Sequence, residues 1–451
     1  MISKKSFTSN LTQDVLATAL VGAIAIHLPG IIFLLMGYAV FGALLLYVGQ
    51  LVIYLSKLYR LDRGFCFQDI RLLFVLIYTL YGCAYPIYFL FSPDNNQGFE
   101  VYNTGVVVAI LLYASGLIGV NIALWLRPAS WHDNEFEGDA ARYNTWPGQI
   151  LMFGIIGIIL GYAVMQGTQI LFTIDRSSQG DFNNQTWVVL MFMAVGVLMY
   201  FLAAFSSLSW FSKFNVILCA TTFILFMIIL GNRRDFLPLI LFALAIKATR
   251  SRLRFNWRYA LALIVIFVGF MYVGFARYPS DLFIDGIWME MFKSNEFSYP
   301  IQTLINYVDT ESWSLHWGES YFRLPLYFIP RQIWTGKPIS LGMQFLLDIF
   351  GTTSVQGYAY TPITEAFVNF SWFGPLIVMC MFGFIMNWLV RNWRRYPSIY
   401  FISLAYIVDF NRGEFSTHIY GLIIVWCCYR FTDFCCRISS HRESRPRTVI
   451  L

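Results

Sequence analysis

A chain of 451 residues has room for two or three soluble domains, but its composition excludes them. Hydrophobic residues are 58% and charged residues only 12%, and the mean hydropathy is +0.61. A soluble chain carries about 25% charged residues, and half of that cannot cover a soluble surface of this size. The composition therefore predicts an all-α polytopic integral membrane protein. Soluble enzyme folds, intrinsic disorder and nucleic-acid binding are set aside, and the formal net charge of +6 matters only through its placement.

A spanning helix needs about 20 mainly apolar residues. Read from the N-terminus, twelve segments are predicted to span: 12–28, 31–56, 72–92, 104–126, 149–174, 187–205, 214–231, 236–247, 259–275, 365–390, 398–409 and 417–432. The first two are divided only by Pro29–Gly30, read as a tight turn. The eighth and eleventh are short. With the N-terminus placed inside, the N-terminal segment, the inner loops and the tail together collect 22 of the 31 Lys and Arg. That is the positive-inside bias of a chain with an even number of spans and both termini cytoplasmic. Nine basic residues remain at the outer side: Arg176, Arg233, Arg234, Arg277, Lys293, Arg323, Arg331, Lys337 and Arg412. Snorkelling to the outer face does not explain such a cluster.

The predicted organisation is lopsided. Residues 1–275 hold nine spans, 276–364 form one large outer loop, 365–432 hold three more spans, and 433–451 are a basic inner tail. No internal repeat is visible, which counts against a secondary transporter built from inverted halves. The eight cysteines avoid outward loops and show no CxxC or Cys/His zinc spacing, so neither a disulfide framework nor a zinc site is expected. His132 to Glu137 resembles a cation site but falls in an inner loop and reads as a solvated acidic stretch. No carboxylate cluster at metal spacing faces outward, so no metal or other cofactor is expected.

The large loop carries the chemistry. Phe283, Ile284, Ile287, Trp288, Met291 and Phe292 recur at helical spacing and predict an amphipathic helix over 280–295. Residues 319–342 are punctuated by prolines and cannot form one long helix; this stretch presents Arg331 and Lys337 around Trp334. Thr361-Pro362 opens the tenth span, with Glu365 in its first turn, where the helix dipole favours a carboxylate. The pair Arg233-Arg234 lies between the seventh and eighth spans, Arg277 at the end of the ninth, and Arg412 between the last two. Arginine forks bind phosphate oxygens bidentately, so these positions together predict a polyanion site.

Four motifs then occur in order: G-x-R at a span end, E-S-x…I-P-R-x-I-W-x-x-K-P, T-P-x-x-E-A-x-x-N-F…G, and R-G-E near the C-terminal spans. In that order they resemble the bacterial oligosaccharide repeat-unit polymerases, the O-antigen and capsule polymerases of the Wzy type. The resemblance covers residues 231–415; the first 230 match only in hydropathy. Ser371 departs from it, since a glycine is expected after the aromatic Phe370. The resemblance implies a GT-C-like membrane glycosyltransferase at the periplasmic face of the bacterial inner membrane. Its substrates would be undecaprenyl-pyrophosphate-linked glycans, and its partners a chain-length regulator and a flippase.

For such a reaction the leaving pyrophosphate needs fixed cations: Arg233, Arg234, Arg277, Arg331, Lys337 and Arg412 are the candidates. The acceptor hydroxyl needs a base. Glu365 is the first choice, with Glu319, His316 and Glu414 behind it. Trp288, Trp313, Trp317, Trp334, Tyr358 and Tyr360 are candidates to stack on sugar rings. An O-antigen ligase would share these outer features and differ in its acceptor. A lipid-linked oligosaccharide flippase would need charges along a midplane path, and few are present. A membrane acyltransferase would need a supported histidine, and His316 stands alone in the loop.

Overall fold

In the computed structural model the described residues are 21–62 apart from 23, 64–91, 103–131, 145–165, 185–229, 233–251, 297–310, 314–329, 333–334, 336–352 and 359–443. They are helical, with no strand among them. In order they form α1 (Ile24–Leu35), α2 (Ala39–Asp62), α3 (Ile70–Phe91), α4 (Asn103–Leu126), α5 (Trp146–Met165), α6 (Gln185–Ala204), α7 (Trp210–Ile229) and α8 (Arg233–Ser251). After these come α9 (Tyr299–Thr310), the one-turn helices α10 (Glu319–Phe322) and α11 (Leu324–Tyr327), α12 (Leu341–Phe350), α13 (Pro362–Phe370), α14 (Gly374–Asn392), α15 (Pro397–Ala405), α16 (Ile407–Phe410) and α17 (Phe415–Glu443).

Seven helices among the described residues are long and apolar enough to cross a membrane. They correspond to the second, third, fourth, sixth, seventh, tenth and twelfth predicted spans, and the chain is a polytopic membrane protein. The predicted ninth span and the 280–295 helix lie outside the described residues. Three boundaries differ from the sequence reading. Helix α1 runs through Pro29–Gly30, and the chain turns at Gly37, whose φ is +91°. There the N–H of Gly37 donates to Leu34 O and that of Tyr38 to Phe33 O. This pattern closes a helix on a left-handed glycine. The short eighth segment lengthens into the 19-residue α8. The eleventh breaks: α15 has 9 residues and α16 only 4. At 1.5 Å per residue neither crosses a bilayer.

The chain folds as two compact units that interleave in sequence. The first contains α1–α4, α9–α14, α16 and the start of α17. Helices α4 and α14 meet at small residues: a Cβ on Gly119 would lie 2.3 Å from Leu376 O, and one on Gly383 2.6 Å from Ala123 Cβ. Without a hydrophobic drive between helices in lipid, such close backbone approach supplies packing energy. At one end of these helices Arg71 is 1% exposed. Its guanidinium donates to Asp69 Oδ2 (2.7 Å), Asp62 Oδ2 (2.9 Å), Ala129 O (2.6 Å) and Asn387 Oδ1 (3.4 Å). The positive-inside count treats Arg71 as a loop charge; the fold uses it to tie α2, α3, α14 and the chain beyond α4 together.

The second unit contains α5–α8, α15 and the rest of α17. Gln149 on α5 donates to Ser212 Oγ (2.8 Å) and accepts from Asn215 Nδ2 (2.9 Å), both on α7. This is a satisfied buried polar bridge of the kind that orders apolar helices. Ser209 caps α7 by accepting from Ser212 N.

Candidate functional site

The predicted helix start at Thr361–Pro362 is where α13 begins. Thr361 Oγ1 accepts from Thr364 N (3.1 Å), and Pro362 occupies the first turn, where its missing N–H costs nothing. With Thr361 as the cap, Glu365 is released for a longer reach. Its side chain is buried at 1% exposure. Oε1 accepts from the Ser320 hydroxyl (2.5 Å), and Oε2 accepts from the N–H of Phe415 (2.7 Å). Phe415 opens α17, so this N–H has no partner within its own helix. One carboxylate thereby serves the first turns of two helices, each favouring negative charge.

A ring of polar groups fixes that position. Asn369 Nδ2 donates to Ser320 Oγ (2.8 Å) and to Glu365 O (2.7 Å). Ser416 Oγ donates to Ser320 O (2.5 Å). Because Asn369 donates into the Ser320 oxygen, the serine proton is directed at Glu365.

A second carboxylate follows. Glu414 Oε1 accepts from the Tyr327 hydroxyl and from Thr417 Oγ1, and Oε2 accepts from Leu341 N (2.8 Å), the first N–H of α12. Burial and this carboxylate push the Tyr327 phenol well above its ordinary range. Lys337 Nζ donates to Ile329 O (3.0 Å) and Tyr327 O (3.2 Å), with the Tyr327 ring 5.2 Å away. Arg412 lies in the turn just before Glu414.

The aromatic wall comes from neighbouring elements. Tyr321 stacks on Phe370 with centroids 6.1 Å apart and meets Phe415 edge-on at 5.4 Å. Phe382 meets Phe410 at 4.6 Å and Phe415 at 5.7 Å. Tyr321, Pro362, Glu365, Phe382, Phe410, Gly413 and Phe415 line a tight crevice with no room for a water molecule. At the break between α13 and α14, Ser371 has φ +56° and ψ −147°. That region is essentially a glycine conformation, so the residue at which the sequence departs from the resembled pattern is also the strained one.

Of the predicted site residues, the fold gathers Glu365, Lys337, Arg412 and Glu414 into one region of the first unit. Glu319 is close in sequence but faces away: its side chain is 58% exposed and pairs with Arg323 at 2.8 Å. With one partner, Glu319, largely in solvent, such a pair adds about 0–1 kcal/mol. Trp334 is half-buried beside Gly336. Tyr360 is buried with its hydroxyl bonded to Tyr307, so it is a core residue and not a stacking platform; Trp317 remains exposed.

Arg277, Arg331, Tyr358, Trp288 and Trp313 lie outside the described residues. Arg233 and Arg234 begin α8, but their side chains lie outside them too. His316 is half-buried beside Gln344, with burial and then Arg323 lowering its pKa. Among the described residues no group of three His, Cys, Asp or Glu could hold a metal ion.

Sequence reasoning missed Ser320, Tyr321 and Tyr327. Ser320 and Asn369 stand inside the resembled motifs, which was the available signal; Tyr321 and Tyr327 had none. No described protein family matches this chain, and neither does any curated protein or solved structure.

Proposed function

We propose that this protein is a GT-C-like, polyprenyl-pyrophosphate-dependent glycosyltransferase. On this reading it polymerises undecaprenyl-pyrophosphate-linked oligosaccharide repeat units at the periplasmic face of a bacterial inner membrane. The observation that carries the reading is the Glu365 carboxylate, 1% exposed and held on both oxygens by donors. An ionised carboxylate has about four lone-pair sites. Ser320 and Phe415 use two, which leaves capacity for the proton of an incoming hydroxyl.

In the proposed reaction the acceptor sugar hydroxyl gives its proton to Glu365 while its oxygen attacks the anomeric carbon of the donor glycan. The bond from that carbon to the pyrophosphate oxygen breaks, and the electron pair leaves with the phosphate. Fixed cations stabilise that charge. Arg412 and Lys337 belong to the same region as Glu365, and Arg233, Arg234, Arg277 and Arg331 are the further candidates from sequence. The aromatic lining keeps water from competing as acceptor.

The test is a surface-glycan ladder. Deletion of the gene should leave a single repeat unit on the lipid acceptor. Wild type should restore the ladder, and Glu365→Gln should not, at equal abundance in the membrane. Loss of even the single capped unit on deletion points to a ligase or flippase and sinks the proposal.

A further inference from the structure

Three cations gather at one end of the first unit. Helices α2 and α4 run side by side and finish together there. Asn121 Nδ2 donates to Gln50 O (3.3 Å), the Lys57 ammonium stands 4.2 Å from the Trp125 ring centroid, and Ser130 Oγ donates to Leu61 O (3.0 Å). Lys57 and Arg60 are one turn apart on α2, and their charges repel. Arg127 follows the last turn of α4 with its side chain exposed. None of the three forms an ion pair among the described residues. The nearby carboxylates are already engaged: Asp62 accepts from Arg71 (2.9 Å) and Trp131 N (2.6 Å), and Asp69 accepts from Arg71 (2.7 Å).

Snorkelling toward water does not describe Arg60. The residue is half-buried, but its Nε and Nη2 are covered and have no acceptor among the described residues. A charge shielded from water on one side gains more from an adjacent anion than a hydrated surface charge does, because the local dielectric is lower. The surface beneath the cations is apolar. Ile118, Ile122 and Trp125 recur at helical spacing on α4 and are exposed. Trp125 ends that stripe under the Lys57 ammonium, as an indole does at headgroup level.

The two features together select the ligand. A soluble anion would pair with the cations and leave the stripe uncovered. A zwitterionic lipid would cover the stripe but bring its own ammonium against Lys57 and Arg60. We propose that Lys57, Arg60 and Arg127 bind the phosphate of an anionic phospholipid whose acyl chain lies along Ile118, Ile122 and Trp125. Basic clusters where spanning helices end bind such headgroups. The site stands at the far end of α14 from Glu365: Glu365 precedes that helix, whereas Arg71 links the end of α2 to Asn387 near its close. It does not rest on the polymerase reading.

The test uses full-length protein in neutral detergent, titrated with dioctanoyl phosphatidylglycerol or dioctanoyl phosphatidylcholine. Native mass spectrometry gives the apparent Kd, and thermal unfolding is read on the same samples. Wild type binds phosphatidylglycerol more tightly than phosphatidylcholine and unfolds at a higher temperature with it. Lys57→Gln and Arg60→Gln each weaken phosphatidylglycerol binding roughly 5-fold, and the double variant no longer distinguishes the two lipids. Lys57→Arg keeps the preference. Arg394→Gln/Arg395→Gln removes the same charge from the second unit and leaves the preference at the wild-type value.

A preference that survives in the Lys57→Gln/Arg60→Gln protein, or that falls equally in the Arg394→Gln/Arg395→Gln protein, overturns the proposal. Inorganic phosphate that stabilises wild type as well as phosphatidylglycerol does would make this a site for a soluble anion instead. The acidic stretch 133–137 lies outside the described residues. If it is what the cations pair with, the double variant unfolds at a lower temperature by the same margin in both lipids, and the proposal fails.

Discussion

Replacing Glu365 by glutamine separates chemistry from structure at this site. The amide can keep both contacts: its oxygen accepts from Phe415 N, and its nitrogen donates to Ser320 Oγ. The serine proton then has to turn away from Glu365 toward another acceptor. The exchange rearranges about one net hydrogen bond, so the stability cost is about 1 kcal/mol. A fall of roughly 2–4 °C in unfolding temperature follows. Loss of a general base costs roughly 10²–10⁴ in rate, which is about 3–5 kcal/mol of barrier. Glu365→Ala differs, because it empties a buried volume and strands the Phe415 N–H; it should cost more than 2 kcal/mol in stability.

The assay is turnover of lipid-linked repeat units by purified protein, read beside thermal unfolding in the same detergent. An intact Glu365→Gln protein that retains more than about a tenth of wild-type turnover would refute the role of Glu365 as base. A fall in stability as large as that of Glu365→Ala would refute the hydrogen-bond reasoning instead.

Other perturbations probe the framework. Arg71→Met leaves Asp62 and Asp69 buried without their cation and should cost about 3–5 kcal/mol in mixed-micelle unfolding; a loss below 1 kcal/mol counts against the buried node. Ser371→Gly relieves a glycine-type backbone and should stabilise by about 1 kcal/mol, read as a higher unfolding temperature; a lower one contradicts the assigned strain. Tyr327→Phe removes a hydrogen bond to a carboxylate and should cost about 1.5–3 kcal/mol, with a neutral result showing that Glu414 holds α12 without it.

The folded pKa of His316 lies below its unfolded value of 6.5, so the unfolded chain binds the extra proton first. Stability is therefore lost as pH falls through and below about 6.5, and His316→Gln should flatten that decline in unfolding temperature between pH 7.5 and 5; identical profiles contradict it.

Composition and hydropathy were enough to determine a helical, polytopic membrane chain, because a bilayer leaves a helix as the simplest way to satisfy backbone groups within a single segment. Local chemistry was equally legible. Thr361–Pro362 starts a helix where a cap precedes a residue that needs no N–H partner, and Pro325 stands in the first turn of the one-turn helix α11. The breaks at Gly37, Ser371 and Tyr406 were not legible. An apolar run continues through each, and only packing against neighbouring helices fixes where the axis changes.

The site divides in the same way. Glu365 could be singled out from its position in a first turn, but its partners could not. Ser320 and Phe415 lie 45 and 50 residues away, and no periodicity encodes such separations. Arg71 reads as one more inner-loop charge until the fold sets two carboxylates against it. Residue type gave the chemistry each group can perform. The tertiary structure decided which groups meet, because burial makes every polar side chain depend on whichever distant donor or acceptor packing brings to it.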